Sequence, residues 1–106
     1  MKNYVRMPGN HTLMPIVVEI IQNSGGSLSY SQVVYMVMFK FDLPQKLIKK
    51  AFKEVSFSGT YLRKIGALRS DTKKGVWSLT SDYINLSFEE TKKITYEKYN
   101  KLLNRK

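Results

Sequence analysis

The sequence contains no cysteine. That absence removes disulfides, thiolate zinc sites and cysteine nucleophiles together. It is compatible with a reducing cytoplasm, which is the expected location. The only histidine is His11, expected in a loop near a helix start. With no cysteine and no second imidazole it cannot anchor a metal site on the usual pattern. Long apolar runs are missing too. The best candidate, Ile16 to Ile21, is interrupted by Glu19 and falls far short of the roughly 20 apolar residues that a membrane span needs. Met1-Lys2-Asn3-Tyr4 lacks the long apolar segment of a secretion signal. Gly25-Gly26 has neither the spacing nor the lysine of a phosphate-binding loop. Serines are plentiful, but no histidine–aspartate pair is placed to activate one. Acidic residues are scarce. Asp82, Glu90 and Lys92 formally fit an Asp…Glu-x-Lys nuclease pattern, in which carboxylates hold magnesium. Glu90 and Lys92 follow a helix cap and fall on different helix faces, and Glu90 is better explained as the capping glutamate. No catalytic residue, metal or cofactor is expected, and the chain by itself is not expected to be an enzyme.

What the sequence has in excess is positive charge. Eighteen Lys and Arg stand against eight Asp and Glu, a net charge of +10 in 106 residues. A small domain needs a net charge of only about 2–8 for solubility. The surplus points to a polyanion, either nucleic acid or an acidic membrane surface. The length suits one domain with a real core, and 42% hydrophobic residues argue against a disordered chain.

The pattern along the chain predicts four helices and a hairpin before a final helix. Residues 1–10 read as an arm, with Pro8-Gly9-Asn10 as a turn. Thr12 is the expected N-cap of a first helix, with Pro15 in its first turn and Leu13, Ile16, Val17, Ile20 and Ile21 at helical spacing. Ser29 followed by Gln32 is a capping-box pattern that predicts a second helix through Val33, Val34, Met36, Val37 and Met38. Asp42 is the expected cap of a further helix, with Leu43, Leu47, Ile48, Ala51, Phe52 and Val55 on its apolar side. Lys46, Lys49, Lys50 and Lys53 occupy the other face. Residues 56–65 read as a separate helix, the recognition helix of the expected fold. Phe57, Tyr61, Leu62 and Ile65 lie on one side and Ser56, Thr60 and Arg63 on the other, beside Gly59 and Lys64. Gly66 is placed to end it as a left-handed C′ residue.

A hairpin follows. Leu68-Arg69-Ser70 and Val76-Trp77-Ser78-Leu79 alternate on either side of Asp71-Thr72-Lys73-Lys74-Gly75. Trp77 is expected in the core, Arg69 is expected to be exposed, and Ser27-Leu28 is placed to add a short third strand. Ser87 and Glu90 form a second capping box, opening a last helix from about Phe88 to Leu103.

The stretch Phe57-Ser58-Gly59-Thr60-Tyr61-Leu62-Arg63-Lys64-Ile65-Gly66, with Lys73-Lys74-Gly75-Val76-Trp77-Ser78-Leu79-Thr80 after it, resembles the N-terminal domain of Mrr-type restriction endonucleases. The resemblance spans roughly residues 12–82, with its specific motifs in 57–80. Phe57 stands where that family usually has tryptophan, Ile65 where it usually has alanine, and the segment before the recognition helix is shorter. The resemblance implies a winged helix that delivers a nuclease, often one acting on modified DNA.

The expected fold is therefore mainly α with a small β-hairpin. It is a winged helix-turn-helix over 11–82, preceded by an arm (1–10) and followed by a C-terminal helical extension (83–106). The expected function is target recognition on double-stranded DNA in a restriction-type or modification-dependent nuclease system. Ser56, Gly59, Thr60, Arg63 and Lys64 would face bases or phosphates in the major groove, and Arg63 is the one group there able to grip guanine bidentately. Lys73 and Lys74 would meet backbone or minor groove, and Arg69, Lys46, Lys49, Lys50 and Lys53 would add phosphate contacts. Tyr35 either packs or donates to phosphate. A nuclease or ATPase domain elsewhere in the full protein is an expected partner, and no membrane is. Two alternatives stand beside this: a protein-interaction module that forms a homodimer through the C-terminal helix, and a free-standing transcription regulator.

Overall fold

The first helix, α1 (Asn10–Gln22), is apolar on nearly every side, and Leu13, Met14, Pro15, Ile16, Val17, Val18, Ile20 and Ile21 are all buried in it. A helix of that kind belongs at the centre of a domain. It does so here, packing on α3 and α5. The structure, a computed structural model of the chain, describes residues 7–104. The expected arm therefore lies outside the described residues at 1–6. α1 starts earlier than Thr12 predicts. Gly9 is its N-cap, without a side-chain cap, so Thr12 falls inside the first turn and Pro15 beyond it. His11 lies in the helix and not in a loop, and it stacks on Tyr99 at 5.9 Å.

A short strand, β1 (Ser27–Ser29), leads directly into α2 (Tyr30–Lys40). The Ser29 hydroxyl accepts from the backbone N–H of Gln32 and donates to its side-chain oxygen at 2.9 Å, so the cap forms as a local hydroxyl–amide pair. Val33, Val34, Val37 and Met38 are buried at helical spacing.

Beyond α2 the expected boundaries change. Asp42 adopts φ +52°, and Leu43 N–H returns to the carbonyl of Met38 at 2.9 Å. Asp42 thus closes α2 and does not open the next helix. Pro44 supplies the reason, because it disfavours helical backbone at the residue before it. A single 3-10 turn (Gln45–Leu47) then leads into α3 (Ile48–Lys64). The helix expected at 56–65 is the second half of this unbroken α3. Its stripe of Ala51, Val55, Ser58, Gly59 and Leu62 stays in phase from end to end, so nothing restarts it at Ser56. The Ser58 hydroxyl, fully buried, donates to the carbonyl of Val55 at 2.7 Å. Gly66 ends α3 with φ +84°, while Ala67 N–H bonds the Leu62 carbonyl at 2.8 Å.

The expected hairpin forms differently as well. The second strand, β2 (Val76–Ser78), pairs antiparallel with β1, in the register Ser27 with Ser78, Leu28 with Trp77 and Ser29 with Val76. The limb at 68–70 contributes one bridge, Leu68 to Leu79, and an Arg69 N–H bond to Ser78 at 2.9 Å. Leu68 and Leu79 are buried, whereas Arg69, Ser70 and Asp71 are exposed, so only the first residue has a core to hold it in the ladder.

A short helix, α4 (Ser81–Ile84), buries Tyr83. The last helix, α5 (Phe88–Leu103), opens on the complete capping box of Ser87 and Glu90. It covers α1 with Thr91 and Thr95, both buried, and with the half-buried Phe88, Ile94, Tyr99 and Leu102. The chain is mainly helical with a small two-stranded antiparallel sheet. Among the described residues no helix is long and apolar enough to cross a membrane.

Candidate nucleic-acid interface

Because α3 is one helix, the residues expected on two separate helices share a single surface. Its 17 residues rise about 26 Å at the usual 1.5 Å each. Lys49, Lys53, Ser56, Thr60 and Lys64 follow one another at intervals of three and four, and all are exposed. Lys46, on the turn before the helix, extends this row, and Lys50 flanks it. Among the described residues the ion pairs are Lys40 with Glu19 at 3.8 Å and Arg69 with Asp71 at 2.9 Å. No carboxylate among them thus neutralises the lysines of α3. Lys64 lies over the Tyr61 ring at 5.6 Å.

Trp77 joins the sheet to this helix. Its indole is 6% exposed, as a core residue should be. It stacks against Tyr30 at 5.3 Å, and Arg63 lies 5.4 Å from its centre. Gly59 makes the approach possible, since a Cβ there would overlap the indole, with Cζ2 only 2.7 Å away. Gly59 is thus buried beneath Trp77 and cannot reach a base or phosphate, contrary to its expected role. The Tyr30 hydroxyl donates to the Phe52 carbonyl at 2.6 Å, binding the start of α2 to α3. Burial raises the Tyr30 phenol above its usual value.

The loop between Arg69 and Gly75 stands beside this assembly. Tyr30 N–H donates to the Gly75 carbonyl at 2.8 Å, and the Thr72 hydroxyl donates to the Val76 carbonyl at 2.7 Å. Lys73 and Lys74 are exposed at its tip. Arg69 is exposed, as expected. Its Nε and Nη2 donate to the two carboxylate oxygens of Asp71, each at 2.9 Å. The hydrogen bonds, and then the charge, raise the Arg69 pKa and hold the Asp71 carboxyl below the usual range. The exposed guanidinium is thus paired with Asp71, which a phosphate would have to share or displace.

One side chain departs from its expected face. Phe57 is 45% exposed and not packed inward, because the phase of the continuous helix turns it outward. Ser58, given no role by the sequence pattern, is buried. Tyr35 touches Phe52 edge-on at 6.1 Å and remains 53% exposed.

The nuclease-like triad does not assemble. Glu90 Oε1 accepts from the Ser87 N–H at 3.0 Å, and Asp82 lies in the first turn of α4. Among the described residues no group of three His, Asp or Glu side chains is placed to hold a metal ion. No protein-family model, curated protein or solved structure matches this chain.

Proposed function

We propose that this chain is a winged helix-turn-helix module that binds duplex DNA, with α3 in the major groove and the 69–75 loop as its wing. The observation that carries the proposal is the exposed row Lys46, Lys49, Lys53, Ser56, Thr60 and Lys64 beside Lys73 and Lys74. It is a cationic face about as long as α3 itself, free of ion pairs with any described carboxylate. The element order supports the same reading. β1 leads into α2, a turn into α3, and β2 returns to pair with β1, the arrangement that sets a second helix against a groove and a hairpin beside it.

Lysines are point charges that neutralise phosphate, whereas planar forks read base edges. A face dominated by lysine therefore binds chiefly through the backbone, and Arg63 is the group on it suited to a guanine. The resemblance to Mrr-type N-terminal domains favours target recognition for a nuclease system over free-standing regulation. The nuclease itself would belong to another domain or chain.

Anisotropy titration of a labelled duplex at several salt concentrations tests the proposal. Affinity should fall steeply with salt, with a log–log slope of about −0.9 per phosphate neutralised. Folded protein that shows no binding at low salt rejects it. The same protein incubated with magnesium should leave the duplex intact. Cleavage that disappears in Glu90→Ala would instead assign a nuclease to this chain.

A further inference from the structure

The outer face of α2 has a character opposite to that of α3. Val33, Val34, Val37 and Met38 point into the core, which leaves Ser31, Gln32, Tyr35, Met36 and Phe39 outside. Phe39 is 84% exposed, Tyr35 53% and Met36 46%. Three large apolar side chains within little more than one turn form a contiguous patch, and such patches mark contact surfaces more often than isolated exposed residues do. The patch is also free of charge. No Asp, Glu, Lys or Arg occurs from Tyr30 to Phe39. Lys40, next in the chain, has its ammonium 3.8 Å from the Glu19 carboxylate.

We infer that this strip is where a second copy of the chain docks, α2 against α2 about a two-fold axis. The charge pattern selects the occupant. An acidic partner would gain from lysine, and the exposed lysines lie on α3, on α5, on the 69–75 loop and at Lys40 beyond the strip's end, while the strip itself offers none. Two copies of a chain with net charge +10 repel wherever their cationic faces meet, so they associate where neither presents a cation. The strip is self-complementary as well. Tyr35 and Phe39 stand four residues apart on one ridge, so an antiparallel partner sets each Tyr35 against the other copy's Phe39, with Met36 alongside. Isologous pairing of this kind closes at two subunits.

α5 is the other candidate for self-association, and its apolar residues are mostly committed. Phe88, Ile94, Tyr99 and Leu102 pack on the chain's own core, and Tyr96 and Leu103 stand exposed among Lys92, Lys93, Glu97 and Lys101. The inference stands apart from DNA binding. Where both hold, the dimer presents two α3 helices related by two-fold symmetry, the geometry that reads paired half-sites.

Sedimentation equilibrium of the full chain in low and high salt tests it, with Phe39→Glu and Tyr96→Glu alongside. Wild type should dimerise, and added salt should strengthen the dimer by screening like charges over a Debye length of about 10 Å at 0.1 M. Phe39→Glu should weaken dimerisation roughly tenfold or more with an unchanged melting temperature, because Phe39 is 84% exposed and its replacement removes little buried surface. Tyr96→Glu should dimerise as wild type does. A wild type that stays monomeric up to millimolar concentration in high salt overturns the inference, as does a dimer that survives Phe39→Glu or is lost in Tyr96→Glu. Nuclear magnetic resonance shifts of Tyr35 and Phe39 on adding duplex DNA to a monomeric protein would assign the strip to nucleic acid instead.

Discussion

The indole of Trp77 occupies the space that a Cβ on residue 59 would need. Helix propensity favours alanine over glycine by about 1 kcal/mol at an exposed helix position. Here Trp77 is held by Tyr30 on the sheet side and by Arg63 on the helix, so the ring cannot simply swing away. Gly59→Ala should therefore destabilise the fold by about 1–3 kcal/mol, the usual cost of overpacking. Urea denaturation followed by fluorescence of the single tryptophan measures it directly. A stabilised variant would mean that the ring has room to move.

Lys73 and Lys74 are exposed at a loop tip whose backbone is tied down by Thr72, Val76 and Tyr30. Replacing both with alanine should leave the denaturation midpoint unchanged. On duplex DNA the double variant should lose affinity for all sequences alike, with a salt slope flatter by up to about 2. Arg63→Ala should differ if the guanidinium grips a guanine, costing about 1–3 kcal/mol on the preferred site and little elsewhere. A uniform loss would place Arg63 on phosphate.

Asp71 holds Arg69 in a two-pronged ion pair. Asp71→Asn should release that guanidinium. Duplex affinity at low salt should then rise, and the salt slope should steepen by about 0.9 if Arg69 reaches one phosphate. An unchanged slope would show that Arg69 faces away from the bound duplex.

Glu90 is held below the ordinary carboxylate range, first by the Ser87 backbone N–H and then by the Ser87 hydroxyl. A folded-state value below the unfolded one means that ionisation favours the folded chain. That contribution is complete above the unfolded value, about 4.3 for glutamate, and fades as pH falls through the lower folded value. Stability should therefore decline with acid more steeply in wild type than in Glu90→Gln. Asp71 acts in the same direction, so the comparison belongs in an Asp71→Asn background. Equal pH profiles for the two proteins would remove Glu90 from the α5 cap.

Much of the helical content was legible because caps and periodicity are local. Ser29 and Ser87 mark helix starts through hydroxyls that reach only three residues ahead. Gly66 marks an end through its own backbone freedom. Thr12 misled because a competent cap is silent when the chain has already turned helical at Asn10. Asp42 misled because the same residue type serves a left-handed C′ position, and Pro44 decided which role it took.

The sequence by itself determined the charge, the apolar faces of α1 and α2 and the burial of Trp77. These depend on residue chemistry and on spacings of three and four. Only the tertiary structure decided which segments met. It joined two expected helices into α3, because their apolar stripes share one core in one phase. It paired β2 with β1 across 46 intervening residues, 30–75, by the register that sets Ser29 against Val76, with Trp77 buried between the sheet and α3. It also drew Gly59 out of the binding face, since nothing local reveals that a tryptophan 18 positions later will occupy the missing side chain's place. Local signals specify elements, and the sharing of one core decides their partners.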